Sequence, residues 1–141
     1  MSPELPSKPP SSITPITHKL IKPLSSPSLG ELLEKGLDGD PRYTTKSVIE
    51  MLNRGDAQLW VYPTAMMITK VIVYENCKRL IVFLIAGEDM ASCKVQAHND
   101  LVSFGKKHGC DAIEAYARPG LEKVMKELGW VKEQVVIRAY L

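Results

Sequence analysis

Apolar residues recur at helical intervals in four stretches of the chain and at strand-like spacing in five. Ser28-Leu29-Gly30-Glu31 has the spacing of a capping box, and Leu29, Leu32 and Leu33 follow on one face. A helix is therefore expected from about Ser28 to the glycines Gly36 and Gly39. Asp40-Pro41-Arg42-Tyr43 reads as a turn. Thr44 or Thr45 then caps a second helix, with Val48, Ile49 and Leu52 on one face and Gly55 as its stop.

From Ala57 the period changes. Gln58 to Tyr62 is rich in β-branched and aromatic residues, Pro63-Thr64 interrupts it, and Met66 to Tyr74 resumes as a second strand. Glu75-Asn76-Cys77-Lys78 turns the chain into a third strand, Arg79 to Ala86, which is apolar at nearly every position and so suits a central strand with helices on both faces. After Gly87 a long helix is marked by Cys93, Ala97, Leu101, Phe104 and His108, and it stops at Gly109. His108 at that end is expected to be a helix-terminal or partly buried residue and not a catalyst, since positive charge is favoured there. Ala112 to Ala117 alternates as a strand parallel to its predecessor, because a helix connects the two. Arg118-Pro119-Gly120 opens a last helix bearing Leu121, Val124, Met125 and Leu128, and Gly129-Trp130 returns the chain to a final strand, Glu133 to Tyr140. Trp130 is expected to pack at the helix exit.

Residues 1 to 27 break this regularity. They hold seven of the ten prolines and many serines, a composition that favours extended chain. The organisation expected is an extended arm over 1–27 and one domain over 28–141. The arm has three lysines against Glu4, which accounts for the whole net charge of +2 and leaves a neutral domain, unlike the basic surface of a nucleic-acid binder. Ile13, Ile16, Leu20, Ile21 and Leu24 have little use in a purely solvating tail, so they are expected to dock on a partner or a neighbouring copy. No apolar run is long enough for a membrane span and no export signal is evident, so a soluble protein of intracellular origin is expected. Cys77, Cys93 and Cys110 are odd in number and widely spaced; free thiols are expected, with no metal site.

The chemistry concentrates at Gly87. A strand that stops at glycine and feeds a helix is a common anion site, since the first helical turn leaves N–H groups unpaired. Here the turn carries Glu88 and Asp89. Two carboxylates complement an empty helix terminus but repel a phosphate, each by about 1 kcal/mol or more at surface-like dielectric.

The order helix, helix, three antiparallel strands, helix, strand, helix, strand resembles the Gcn5-related N-acetyltransferase (GNAT) family. The resemblance is strongest at Ala117-Arg118-Pro119-Gly120-Leu121-Glu122, Leu128-Gly129-Trp130 and Val135-Val136-Ile137, with Tyr43-Thr44 and Gly55-Asp56-Ala57-Gln58-Leu59-Trp60 fitting at the opening. More narrowly, it is similar to small acetyltransferase-like proteins encoded among the virion genes of tailed bacteriophages. The resemblance implies an α/β (α+β) fold, a mixed central sheet of about five strands flanked by helices. It also implies that an active relative would hold the coenzyme A pyrophosphate in a Gln/Arg-x-x-Gly-x-Gly/Ala loop. The equivalent residues are Gly87, Glu88, Asp89, Met90 and Ala91, which lack the initial Gln or Arg and the spaced glycines. The last helix also lacks the tyrosine that family members often use to protonate the departing thiolate. Glu114 and Tyr116 are the remaining candidates for a base and an acid.

On this reading no cofactor is expected, and the chain is a non-catalytic structural or assembly component of a tailed-bacteriophage virion. It is made in the host cytoplasm and binds portal, capsid or tail proteins or copies of itself, partly through its arm. The alternative is an acetyl-CoA-dependent N-acetyltransferase with an atypical pyrophosphate loop.

Overall fold

The computed structural model describes residues 29–87, 89–116 and 119–141. The docking residues Ile13, Ile16, Leu20, Ile21 and Leu24, the cap residue Ser28, and Glu88 lie outside the described residues. Helix α1 spans Leu29–Leu37 and α2 spans Thr45–Arg54; the strands are β1 (Gln58–Tyr62), β2 (Ala65–Val73) and β3 (Lys78–Gly87). A 3-10 turn at Ala91–Cys93 precedes α3 (Lys94–Lys107), followed by β4 (Ala112–Ala115) and α4 (Pro119–Lys126).

Local chemistry sets these boundaries. Thr44 caps α2 through a reciprocal box, its side chain accepting the Ser47 N–H while the Ser47 hydroxyl oxygen accepts the Thr44 N–H. Gly55 closes the helix in the left-handed region at φ 82°. The Arg54-Gly55-Asp56 tripeptide is thus a helix stop, its charges paired at 2.8 Å.

The four strands form one sheet in sequence order, β1-β2-β3-β4, with the first two pairings antiparallel and β3–β4 parallel. On one face Leu32, Leu33 and Leu37 of α1 and Val48 of α2 pack with Val61, Ile68, Ile81 and Phe83. On the other, Ala97 and Leu101 of α3 pack with Trp60, Met67, Leu80 and Val82. Burying each large apolar side chain contributes roughly 1.5–3 kcal/mol. One polar group enters this second core. The Trp60 indole donates to Thr69 Oγ1 at 2.9 Å, and Thr69 donates in turn to Gln58 Oε1 at 2.8 Å, all three side chains being buried.

The apolar run of β3 conceals an irregularity. Ile68 pairs with Leu84 and Thr69 with Val82, so Phe83 is an extra residue in the ladder. Consecutive residues of a regular strand face opposite ways, yet Phe83 and Leu84 both join the core under α1 and α2.

Two expectations change. The fourth strand ends at Ala115 instead of Ala117, and the final strand does not form. Residues 131–141 carry no regular structure and are exposed throughout, so the sheet has four strands where about five were expected. A strand-like composition becomes a strand only when a partner takes its backbone hydrogen bonds, and among the described residues none does.

Candidate functional site

The β3–α3 junction is built on a close approach. Gly87 pairs with Ala65, and a Cβ at Gly87 would lie 2.4 Å from the Thr64 carbonyl oxygen and 2.5 Å from Ala65 Cα. With φ at 141°, this position admits only glycine without strain. The residue that a phosphate-binding reading would assign to ligand approach is therefore required by the β1–β2 turn beneath it.

Beyond Gly87 the junction takes up part of its own hydrogen-bonding capacity. Asp89 Oδ1 accepts the Ser92 N–H at 3.1 Å, the Asp89 carbonyl accepts the Thr64 hydroxyl at 2.8 Å and the Ser92 hydroxyl at 3.2 Å, and the Cys93 N–H goes to the Met90 carbonyl at 3.1 Å. Asp89 and Ala91 are exposed and Met90 is half-buried against the second core. An anion seated here would have to displace the Asp89 carboxylate from Ser92 and then remain near its charge. The charge of Asp89 works against a coenzyme A pyrophosphate at this turn.

The other sequence candidates sit on β4. Glu114 lies opposite Ile81 in the parallel register, and its carboxylate accepts from Arg79 at 2.8 Å, an ion pair linking β3 to β4. Tyr116 follows the end of β4, 58% exposed, its backbone N–H reaching the Val82 carbonyl at 3.4 Å. By strand alternation Glu114 and Tyr116 share the α1/α2 face of the sheet, with Ile81.

On the opposite face, a small cavity of about 30 Å³ lies between the sheet, α3 and α4, lined chiefly by Met67, Val82, Ile85, Leu101, Val124 and Met125. It has room for little more than one or two waters. Its polar lining residues, Lys94 and His98, are both engaged: Lys94 pairs with Glu127, just past α4, and His98 Nδ1 accepts the Trp130 indole N–H at 3.0 Å. The Lys94 ammonium holds the Glu127 carboxyl below its ordinary range. The structure thus brings Glu114 near Tyr116 but puts this cavity across the sheet from them. The register of β3 with β4 ends at Val82 and Ala115, beside the extra residue Phe83.

Sequence reasoning did not find the Arg79–Glu114, Thr64–Asp89 and Trp130–His98 contacts. Each joins residues at least 25 positions apart, and no local pattern announces them. His108 is the C-terminal cap residue of α3 and is partly buried, its ring tilted against Phe104 with centroids 4.1 Å apart; burial, together with Lys107 and Lys78, lowers its pKa, so the positive charge expected at the helix end is disfavoured. Burial raises the pKa of Cys93 and of Cys110. Among the described residues no three His, Cys, Asp or Glu side chains gather as a metal ion would need, and no helix is long and apolar enough to cross a membrane.

No protein-family model matches the chain, and no curated protein matches it. Solved structures do. A transcriptional regulator from Bacillus halodurans C-125 superposes with a TM-score of 0.60 at 13% identity, covering 79% of this chain and 92% of the other. A possible acetyltransferase from Clostridium difficile 630 gives 0.57 at 10% identity, covering 79% and 88%. An acetyltransferase from Trypanosoma brucei gives 0.57 at 11%, covering 79% and 89%. Identities this low speak to architecture and leave activity open. The fold is that of the GNAT-like acetyltransferases, with a four-stranded mixed sheet flanked by helices.

Proposed function

We propose that this chain is a GNAT-like domain that joins proteins together and does not transfer acetyl groups. The observation carrying the proposal is the Asp89–Ser92 hydrogen bond, which turns the protein's own carboxylate onto a backbone N–H of the strand-to-helix junction. The pairing of Glu114 with Arg79 supports the same reading, since it gives that carboxylate a structural role in joining β3 to β4. The assembly in question is a tailed-bacteriophage virion, reached from the host cytoplasm. Its partners are portal, capsid or tail proteins, or further copies of this chain, engaged in part through Ile13, Ile16, Leu20, Ile21 and Leu24. Support for that setting is the resemblance to acetyltransferase-like proteins encoded among virion genes, together with an arm whose apolar residues suit docking. Quantitative protein analysis of purified particles tests it. Incorporation at fixed stoichiometry, reduced by deleting residues 1–27, is the expected result; absence from particles would overturn it.

A second reading is an acetyl-CoA-dependent N-acetyltransferase. One observation favours it: the β3–β4 register ends at Val82, next to the Phe83 irregularity, and bulges concentrate beside active sites.

A further inference from the structure

The chain carries two unmatched halves of one β-pairing. The first is the outer edge of β4, the last strand in the sheet order, which among the described residues has β3 on one side and no strand on the other. The second is the segment 131–141, without regular structure and solvent-exposed, with Val135 at 65%, Val136 at 77% and Ile137 at 89% exposure. A free strand edge is a ready template for another strand, and a run of β-branched residues is suited to supply one.

Their side chains correspond in one register. On β4, Ile113 and Ala115 belong to the core under α3 and α4, while Glu114 and Tyr116 face the other way. Along the tail, Val135, Ile137 and Ala139 alternate with Val136, Arg138 and Tyr140. Placing the tail beside β4 with Val135, Ile137 and Ala139 on the α3/α4 face continues that apolar surface. Arg138 then comes beside Glu114, whose side chain is 37% exposed despite its pairing with Arg79, and Tyr140 falls on the face of Tyr116. A slip by one residue would set Arg138 among Ile113 and Ala115.

We propose that the tail 131–141 of one copy adds as a fifth strand to the β4 edge of a second copy, and that the exchange is reciprocal, giving a two-fold dimer. The tail leaves α4 and Trp130 without returning to its own sheet, so a second molecule is the occupant that supplies the matching edge. This pairing is independent of whether the domain binds acetyl-CoA.

Sedimentation equilibrium of the full chain over a dilution series tests the proposal, with hydrogen exchange followed at the amides of 133–140. The expected mass is twice the chain's 15.7 kDa, and the tail amides lose protection as dilution yields monomer. Ile137→Lys lies on an exposed residue, so it leaves the helical circular dichroism intact while shifting the protein to monomer. Glu114→Lys and Arg138→Glu each weaken the dimer, and mixing the two variants restores it, because one tail then meets the native pair and the other the reversed pair. A monomer in the full chain, whether its tail amides are protected or not, overturns the proposal. So does a dimer that Ile137→Lys leaves intact, including one lost only when residues 1–27 are removed.

Discussion

Asp89 Oδ1 accepts the backbone N–H of Ser92 at 3.1 Å, so one of the donors that a strand-to-helix junction would offer an anion is already taken. The bond acts as a side-chain cap on the turn leading into α3. Asp89→Ala should cost about 1 kcal/mol, the ordinary worth of such a cap, while Asp89→Asn keeps an acceptor and costs less. Urea denaturation of the three proteins, compared at constant slope, checks the ranking.

Gly87→Ala should be far more damaging than a typical exposed substitution. The added methyl would meet the Thr64 carbonyl oxygen at 2.4 Å and the Ala65 backbone at 2.5 Å, on a backbone angle that alanine avoids. A loss of roughly 1–3 kcal/mol, or more if the β1–β2 turn cannot yield, is expected from overpacking and strain. Thermal melting would show it, and an unchanged midpoint would mean that the turn moves freely.

In the second core, Thr69→Val keeps the shape of residue 69 but removes both halves of its hydrogen-bond relay. The Trp60 indole and Gln58 Oε1 would lose the partner that now lies at 2.9 and 2.8 Å. A buried polar group left unpaired costs about 1–3 kcal/mol, and Thr69→Ser should recover most of the polar part of that loss. Chemical denaturation of both variants separates the two effects.

Stability should fall in mild acid partly through His108. Burial, then Lys107 and Lys78, hold its pKa below the ordinary 6.5, so the unfolded chain takes up the proton more readily than the folded one. The contribution is intact above that ordinary value and is lost as pH drops through the folded value. His108→Gln should flatten the pH dependence of the melting temperature in that window. An equally steep profile would assign the effect elsewhere.

Much of this fold was legible because its signals are local. The Thr44 cap, the Gly55 stop and the change of period at Ala57 each act within a few residues, and each falls where the sequence places it. The final strand was misread for the opposite reason: Val135-Val136-Ile137 has the composition of a strand, but pairing depends on a partner that composition cannot supply. The Phe83 bulge was likewise invisible, since a β3 that is apolar on both faces hides a break in alternation. At the site, the acidic character of the junction was plain from Asp89, whereas the hydrogen bond that gives it meaning required the turn to be folded.

Isothermal titration of the full chain with acetyl-CoA tests the central claim most directly. A junction with its own carboxylate turned onto a backbone N–H predicts no heat of binding and no rise in melting temperature at high ligand concentration, because a ligand that binds only the folded state must stabilise it. Saturable binding at one site per chain would contradict the account and restore the enzyme reading.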